Sequence, residues 1–287
     1  MLCHAMMAAM TEAPIIQSTN TESDASTPVI EAVDLAAGYG QKLILDGVDV
    51  AIHRDKITCI IGGSGCGKST LMRAVIGLLP PMRGRTVVLG EDIYALSDAE
   101  RSALLSRVGL MFQYGALLNS ISVADNMMIP LKAHTDLHPD VMAEIIKMKL
   151  GMVHLGQSLE RLPGELSGGM RKRAGLARAI ILDPDLLFCD EPSAGLDPKT
   201  AAGIDTLILE LKRLLGMTVV VITHELSSIE VIADRIIMLQ DGKTHFHGTL
   251  EEARASTDPS LLSFFHRQGD NQQGDRRSLF HILGGRS

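Results

Sequence analysis

The stretch Gly62-Gly63-Ser64-Gly65-Cys66-Gly67-Lys68-Ser69 is the segment that decides the fold of this chain. It fits the pattern G-x-x-x-x-G-K-[ST], with a short β-branched apolar run before it at 56–61 and a helix-like segment after it at 70–79. Glycines let the backbone approach an anion closely, and the amides at a helix start point toward negative charge. The segment therefore predicts a strand, a phosphate-binding loop and a helix.

Lys68 and Ser69 give this loop its expected chemistry. Lys68 is predicted to reach the β- and γ-phosphates of a nucleotide, and the Ser69 hydroxyl to bind Mg²⁺. The alternative is a glycine turn without a ligand, which the strand–loop–helix setting disfavours.

The composition is that of a folded, acidic chain. Its 287 residues are 46% hydrophobic and 21% charged, enough for one large domain or two modest ones. The net charge of −7 argues against a nucleic-acid partner bound by phosphate neutralisation. The four cysteines have no CxxC spacing, so we expect reduced thiols in a cytosolic compartment, without a zinc site or a disulfide framework.

The chain divides into three predicted parts. Residues 1–28 are polar and predicted to be disordered, 29–255 form the folded domain, and 256–287 form a tail. The apolar end of the tail at 279–283 either frays or docks on a partner chain. No apolar run reaches the ~18 residues of a transmembrane helix, and the N-terminus lacks the basic leader of a signal peptide.

Strand and helix patterns alternate along the folded domain. Apolar alternation at 29–36 and 43–52 predicts antiparallel strands, and a helical insert is expected at about 114–180. Further strands are predicted at 87–89, 108–112, 186–190 and 218–223, a hairpin at 235–246, and helices at 123–131, 139–151, 167–181 and 198–215. The alternation indicates a mostly parallel α/β sheet, and without internal repeats we expect one set of nucleotide-site residues.

Several polar residues stand where a predicted strand ends. Asp190 and Glu191 follow one such strand, where Asp190 would hold Mg²⁺ through water or Ser69 and Glu191 would polarise the attacking water. His224 and Gln113 follow two other strands, so they could contact the γ-phosphate, Mg²⁺ or water. Their position alone is equally compatible with structural roles.

A second anion site is suggested by Ser167-Gly168-Gly169, which opens a predicted helix. By itself this sequence is a capping motif, although a helix start also binds anions. The basic residues that follow, Arg171-Lys172-Arg173 and Arg178, are expected to form a solvated face.

Taken together, these segments resemble the ATP-binding subunit of an ABC transporter over roughly 29–255. The resemblance implies an α/β P-loop NTPase, with a RecA-like mostly parallel sheet, an antiparallel β subdomain and an inserted α-helical subdomain. The matching motifs are the Walker A loop at 62–69, the Q-loop at Gln113, the signature at 166–170, Walker B at 186–190, the D-loop at 193–197 and the switch histidine His224.

The resemblance also implies ATP and Mg²⁺ as cofactors, with Glu191 and His224 as catalytic residues. Nucleotide contacts are implied for Tyr39, which would stack on adenine, and for Gly62, Gly63, Ser64, Gly65, Cys66, Gly67, Lys68, Ser69, Thr70, Ser167, Gly168, Gly169 and Asp197. Ser69, Gln113 and Asp190 are the implied Mg²⁺ ligands. Two copies would face head to tail, each ATP lying between one copy's Walker A loop and the other's signature.

A narrower resemblance is to the ATPases of Mla/Mce-type systems. It is carried by the segments 112–117 and 126–131 and by Met170, which replaces the commoner Gln at the end of the signature. It implies phospholipid transport across the bacterial envelope, with a permease and an MCE-type lipid-binding protein as partners. The chain would lie peripherally on the cytoplasmic side of the inner membrane.

Two rival functions stay open at this point. The chain could energise another ABC transporter, for lipoprotein release or nutrient import, or it could be a soluble ABC-type assembly scaffold. An inactive regulatory homologue is disfavoured, since Lys68, Glu191 and His224 are all present.

Overall fold

The computed structural model describes residues 27–113 and 115–265. Of the predicted disordered segment 1–28, residues 1–26 lie outside these ranges, while Pro28 already belongs to the first strand. The end of the tail at 279–283, predicted to fray or to dock on a partner, lies outside them as well. Their ten strands are β1 (Pro28–Tyr39), β2 (Lys42–His53), β3 (Ile57–Ile61), β4 (Arg83–Val88), β5 (Glu91–Asp92), β6 (Val108–Met111), β7 (Leu186–Asp190), β8 (Thr218–Ile222), β9 (Arg235–Gln240) and β10 (Lys243–Thr249).

The strands form two sheets. The smaller sheet has the order β2-β1-β4-β5 and is antiparallel throughout, as the alternating pattern predicted. The larger has the order β10-β9-β3-β8-β7-β6, in which only the edge strand β10 is antiparallel to its neighbour. All five residues of β8 are buried, because this β-branched strand is covered on both faces of the sheet.

Eight α-helices and a further helical segment at 259–265 accompany the strands within the described ranges. The eight are α1 (Lys68–Val75), α2 (Asp98–Leu105), α3 (Val123–His134), α4 (Pro139–Met152), α5 (Gly168–Ala179), α6 (Pro198–Leu215), α7 (Leu226–Ile232) and α8 (Leu250–Ala255). The sequence analysis did not identify α2, α7 or α8. It also extended α1 too far, because Gly77 adopts a φ of 77° and the chain turns there.

Alternate residues of the larger sheet face two hydrophobic clusters. Ile60 belongs to the cluster shared with α1 and the antiparallel sheet. Its neighbours Cys59 and Ile61 belong to the other cluster, which includes residues of the insert helices α3, α4 and α5. Because successive side chains of a strand point to opposite faces, one strand anchors both layers. The loop that follows β3 is therefore fixed between two packed subdomains.

The insert is held together by a buried polar residue as well as by its apolar contacts. Asn126 is fully buried, and its amide group accepts from the Leu118 backbone N–H at 2.7 Å and donates to the Leu118 carbonyl at 3.0 Å. The same side chain donates to the Ser122 carbonyl at 2.9 Å. These bonds fix the loop between the segment after Gln113 and α3.

The folded part continues beyond the predicted boundary at Ala255. Residues 259–265 are helical, and Leu261 is only 1% exposed within the core. Phe264 and Phe265 pack against the same core cluster. None of the described helices combines the length and the apolar character needed to cross a membrane.

Candidate functional site: a phosphate-binding cleft

Three neighbouring parallel strands bring the predicted site residues together. In the central sheet β8 lies between β3 and β7, and Ile222 pairs with both Ile60 and Asp190. The loop after β3, His224 after β8, and Glu191 after β7 therefore emerge at the same edge of the sheet. This is the carboxyl edge at which open α/β sheets bind ligands.

The phosphate-binding loop requires glycine at two of its positions. Gly62 has a φ of 143°, and a Cβ there would lie 2.3 Å from the Leu239 carbonyl oxygen and 2.7 Å from Cys66 Sγ. Gly67 has a φ of 108°, and its Cβ would lie 2.5 Å from Leu45 Cδ2. A larger residue at either position would have to displace its neighbours, so the loop conformation depends on these glycines.

The loop leaves a helix start open toward the cleft. Gly67 is the N-cap residue of α1 and supplies no side-chain hydrogen bond to the first turn. Lys68 Nζ lies over the loop and donates to the carbonyl oxygens of Gly62 and Gly63, at 2.9 Å each. Ser69 is exposed, whereas Thr70 is buried. The amides of α1 and the Lys68 ammonium together form a positive cradle of the kind that binds phosphate.

Glu191 and His224 form a pair beside this loop. His224 Nδ1 lies 2.7 Å from Glu191 Oε1, and because a carboxylate only accepts hydrogen bonds, the ring donates through Nδ1. The Glu191 side chain is 14% exposed, and its second oxygen, Oε2, is buried without a hydrogen-bond partner in the described part of the chain. Glu191 therefore has one oxygen fixed by the histidine and one oxygen free to accept a proton or a water.

Asp190 lies in an environment that disfavours its negative charge. Burial raises the pKa of its carboxyl group, and the neighbouring Glu191 raises it further, while the cations Lys68, Arg73 and Lys172 oppose the shift. A poorly solvated carboxylate gains from binding a cation. This fits the predicted role of Asp190 as a magnesium ligand.

The predicted solvated basic face after the signature is wrong for three of its four residues. Lys172 is 7% exposed, and its ammonium donates to the Glu191 carbonyl at 2.6 Å and to the Gln113 carbonyl at 2.5 Å. Arg173 donates to the Val153 carbonyl at 3.2 Å, and Arg178 donates to two carbonyls of the loop after Gln113. These side chains tie the insert to the site.

A sequence signal for Lys172 was present in α5. It lies three residues after the buried Gly169 and four before the buried Leu176, so it lies on the buried stripe of that helix. Burial lowers its pKa, since desolvation disfavours the ammonium, although Glu191 and Asp190 act in the opposite direction.

Two further predicted site residues are more exposed. The Gln113 side chain is exposed, and its backbone carbonyl is held by Lys172. Tyr39 is 46% exposed, and its hydroxyl accepts a hydrogen bond from Arg73 Nη1 at 2.8 Å. The structure therefore fixes the orientation of Tyr39, while its stacking on adenine stays a prediction.

The cleft at this edge has a volume of about 1070 Å³. Its lining comes from the phosphate loop and Lys68, from Glu191 and His224, from residues 42–44 and 238–242, and from Ser260, Ser263 and Phe264. The volume is of the size that small-molecule and cofactor sites occupy.

The signature and D-loop residues do not line this cleft within the described chain. Ser167 caps α5 by accepting from the Met170 N–H at 3.3 Å, which confirms the predicted helix cap. Asp197 caps α6 by accepting from the Lys199 and Thr200 N–H groups, at 3.1 Å each. Gly168 and Gly169 are the first two residues of α5 and face the start of α6. A Cβ at Gly169 would lie 2.5 Å from Thr200 Cγ2 in that helix.

The donor set of the site suits magnesium rather than a metal held by protein alone. Among the described residues, no group of three or more histidine, cysteine, aspartate or glutamate side chains could hold a metal ion. Ser69, Asp190 and Gln113 offer single oxygen ligands, and Mg²⁺ in nucleotide sites takes few protein ligands together with substrate phosphates. Cys59, Cys66 and Cys189 are free and buried, in agreement with the predicted reduced thiols.

Comparison with known proteins identifies the family. The family model described as ABC transporter matches residues 45–194. The chain is 38% identical over 242 residues to the intermembrane phospholipid transport system ATP-binding protein MlaF of Haemophilus influenzae, covering 84% of this chain and 92% of that protein. It is 39% identical to MlaF of Escherichia coli K12 over 236 residues, covering 82% and 88%.

A third relative is named for the transport of a different cargo. The chain is 36% identical over 237 residues to the probable ribonucleotide transport ATP-binding protein mkl of Mycobacterium tuberculosis, covering 83% of this chain and 66% of that protein.

Solved structures agree in fold. The ATP-binding cassette MJ0796, solved as a post-hydrolysis dimer with ADP and Pi, has a TM-score of 0.70 and 27% identity, covering 77% of this chain and 98% of that one. CbiO1 of Clostridium perfringens, part of the transporter complex cbiONQ, has a TM-score of 0.73 and 25% identity, covering 90% and 99%. The chain belongs to the family of ABC transporter ATP-binding subunits, and the reaction it catalyses is ATP hydrolysis.

Proposed function

We propose that this chain energises phospholipid transport across the bacterial envelope by hydrolysing Mg-ATP as one half of a symmetric dimer. The observation that carries the proposal is the 38% identity to MlaF, which extends over 92% of that protein. The cleft adds support, since Lys68, Glu191 and His224 have the side chains and the arrangement that ATP hydrolysis needs.

The proposed chemistry uses groups that bind the phosphates, side chains that hold Mg²⁺, and a proton acceptor. The α1 amides and the Lys68 ammonium bind the phosphates and counter their charge. Mg²⁺, held by Ser69, Asp190 and Gln113, supplies charge neutralisation on the phosphate oxygens when it is bound. Glu191 accepts a proton from the attacking water through Oε2, the oxygen that has no hydrogen-bond partner among the described residues.

His224 has a positioning role in this scheme. Its bond to Glu191 Oε1 fixes the carboxylate, so that the second oxygen keeps one direction. The imidazole is 54% exposed, which leaves its outer edge accessible to a phosphate group in the cleft.

The second half of each site comes from another copy in this proposal. Ser167, Gly168 and Gly169 form a helix start outside the cleft of their own chain, and a helix start of this kind binds anions. MJ0796 is described as a dimer both in its post-hydrolysis state with ADP and Pi and in a second structure. Two copies placed head to tail would present Ser167 to the partner's nucleotide, and ATP would favour the closed pair because it contacts both halves.

The proposed partners are an integral membrane permease and an MCE-type lipid-binding protein. The insert offers exposed apolar side chains after Gln113, among them Leu118 and Ile129, as a contact surface for the permease. The chain would then lie peripherally on the cytoplasmic side of the inner membrane. Because the relative mkl is named for probable ribonucleotide transport, the alternative to phospholipid transport is the import of a nutrient such as a ribonucleotide.

The site is tested by Glu191→Gln. The variant keeps the shape of the side chain but removes the proton acceptor, so we expect it to bind ATP, to lose about 10²- to 10⁴-fold in turnover, and to accumulate as a dimer. ATP affinity, steady-state turnover and size-exclusion chromatography with light scattering measure these effects. Lys68→Ala is the control that should lose ATP binding itself. Turnover near the wild-type value in Glu191→Gln would remove Glu191 from its proposed role.

The cargo is tested with the complex purified from membranes. We expect a permease and an MCE-type protein to copurify, and vesicles containing the complex to move labelled phospholipid when ATP is added. The same complex carrying Glu191→Gln is the matched control. Transport of a ribonucleotide with no phospholipid movement would favour the alternative cargo, and recovery from the cytosol without any membrane partner would favour a soluble scaffold.

A further inference from the structure

A chain of three buried polar side chains links the segment after Glu191 to the helix after His224. Ser193, Asp205 and Ser228 are 3%, 3% and 2% exposed. Ser228 Oγ donates to Asp205 Oδ2 at 2.8 Å, and Ser193 Oγ lies 3.2 Å from Ser228 Oγ. The three residues come from the D-loop, α6 and α7.

The direction of these hydrogen bonds follows from the carboxylate. An ionised Asp205 can only accept, so Ser228 commits its single hydroxyl proton to it. The contact between the two serines is then made by the Ser193 proton, and Ser228 accepts it. One acidic group at the end of the chain therefore sets the orientation of both hydroxyl groups.

Stability alone does not account for an acid at this position. Asp205 lies on the buried stripe of α6 beside the apolar residues Ile204, Leu207 and Ile208. Its second oxygen, Oδ1, is buried without a hydrogen-bond partner within residues 27–113 and 115–265, which is costly for a carboxylate. Burial raises the pKa of Asp205, Glu225 raises it further, and the bond from Ser228 opposes the shift. A hydrophobic side chain would pack here without these costs.

The linked segments are those that carry the catalytic pair. Ser193 is two residues after Glu191, and its segment continues to Asp197, the cap of α6. Ser228 is four residues after His224, on the first turns of α7. A shift of α7 against α6 would thus change the distance between His224 and Glu191, which are joined by the 2.7 Å contact.

We propose that Asp205 is a positioning residue for ATP hydrolysis, which holds the D-loop and the start of α7 in the arrangement that aligns Glu191 with His224. The inference rests on the proposed roles of Glu191 and His224. It does not involve nucleotide binding, because Asp205, Ser193 and Ser228 do not belong to the lining of the phosphate cleft.

The test compares substitutions of Asp205 in the full-length chain. Asp205→Leu removes the acceptor and fills the space, whereas Asp205→Asn keeps an oxygen that can accept from Ser228. We expect kcat to fall on the order of tenfold to a hundredfold in Asp205→Leu, as small misplacements of reacting groups do, with KM for ATP changed by less than about twofold. Asp205→Asn should recover most of the lost kcat. Glu210→Gln, at an exposed position of the same helix, is the matched control and should leave kcat unchanged.

Urea denaturation separates positioning from folding. Asp205→Leu keeps the branched shape of the side chain and removes an incompletely hydrogen-bonded buried acid, and the Ser228 hydroxyl that loses its acceptor can donate to Ser193 Oγ, 3.2 Å away. Asp205→Leu should therefore unfold at about the same urea concentration as the wild type. Ser228→Ala breaks the link at its middle and should lower kcat without affecting KM, which keeps the inference testable if Asp205→Leu does not fold.

Unchanged kcat in Asp205→Leu or in Ser228→Ala would overturn the inference. An equal loss in Asp205→Asn and Asp205→Leu, or a parallel rise in KM, would overturn it too. These outcomes leave the proposed function standing if Glu191→Gln still traps ATP, so the two failures can be distinguished.

Discussion

Substituting alanine for Gly62 tests whether the phosphate loop depends on close backbone approach. The new Cβ would lie 2.3 Å from the Leu239 carbonyl oxygen and 2.7 Å from Cys66 Sγ, at a φ of 143°. A backbone conformation essentially reserved for glycine costs about 1–3 kcal/mol, and overpacking adds about 1–3 kcal/mol. The lower entropy of the unfolded alanine chain returns about 0.4–1 kcal/mol. We therefore expect the free energy of unfolding to fall by about 1–6 kcal/mol.

The assay is equilibrium urea denaturation in the absence of nucleotide, followed by ATP titration. Gly62→Ala should move the midpoint to lower urea and weaken ATP binding, because the Gly62 carbonyl is one of the two that hold Lys68 Nζ. Gly63→Ala is the matched control. A Cβ at Gly63 would meet no described atom within 4 Å, and the φ of Gly63 is not positive. The free energy of unfolding of Gly63→Ala should therefore differ from that of the wild type by less than about 0.5 kcal/mol.

Equal denaturation midpoints for the two alanine variants would refute the reasoning, since the same methyl group would then cost the same in a crowded and in an open position. Gly62→Ala with wild-type ATP affinity would likewise show that the loop geometry at Gly62 is not needed for phosphate binding.

Three further predictions concern single side chains of the site. Lys172→Met should lower the free energy of unfolding by about 1–3 kcal/mol, because the carbonyls of Gln113 and Glu191 lose their donor; an unchanged urea midpoint would contradict this. A thiol reagent should inactivate the ATPase by modifying Cys66 in the phosphate loop, and bound ATP should protect the enzyme. Cys189 should not react, because burial raises the pKa of its thiol to about 12. If Cys66→Ser is as sensitive as the wild type, another cysteine is responsible. The pKa of Asp190 is raised above 3.8, so its carboxylate is protonated, and magnesium-dependent turnover should decline, as pH falls through the raised pKa. The effect on folding has the opposite sign: the protonated form of Asp190 stabilises the fold below pH 3.8, and this contribution is lost as pH rises through the raised pKa. Unfolding curves of Asp190→Asn that keep the wild-type pH dependence in this range would refute the assignment.

Local patterns were sufficient for the parts of the site that depend on few neighbours. Gly62 and Gly67 impose a loop conformation that other residues rarely adopt, and the run before them is too short and too β-branched for a helix. Ser167 was recognisable as a helix start, since capping is a bond within one turn. Such features depend on adjacent residues, so the sequence alone predicts them.

The short helices α7 and α8 were not predicted, because they are too short to show a local pattern. The seven residues of α7 and the six of α8 make up too few turns for an apolar periodicity to appear. They form because the hairpin of β9 and β10 and the helix α6 provide surfaces for them. The boundary at Ala255 was placed too early for the same reason, as Leu261 is buried by residues far from it in sequence.

The sequence by itself determined the phosphate loop, the acids and the histidine at strand ends, and the α/β class, because each is a local pattern with one physical reading. Only the tertiary structure decided that β8 lies between β3 and β7, which brings Glu191 to 2.7 Å from His224 across 33 positions of the chain. It also decided that Lys172 and Asp205 point inward. Whether a polar residue on a helix meets water or a buried carbonyl depends on which surface packs against that helix, and that surface is built from distant segments.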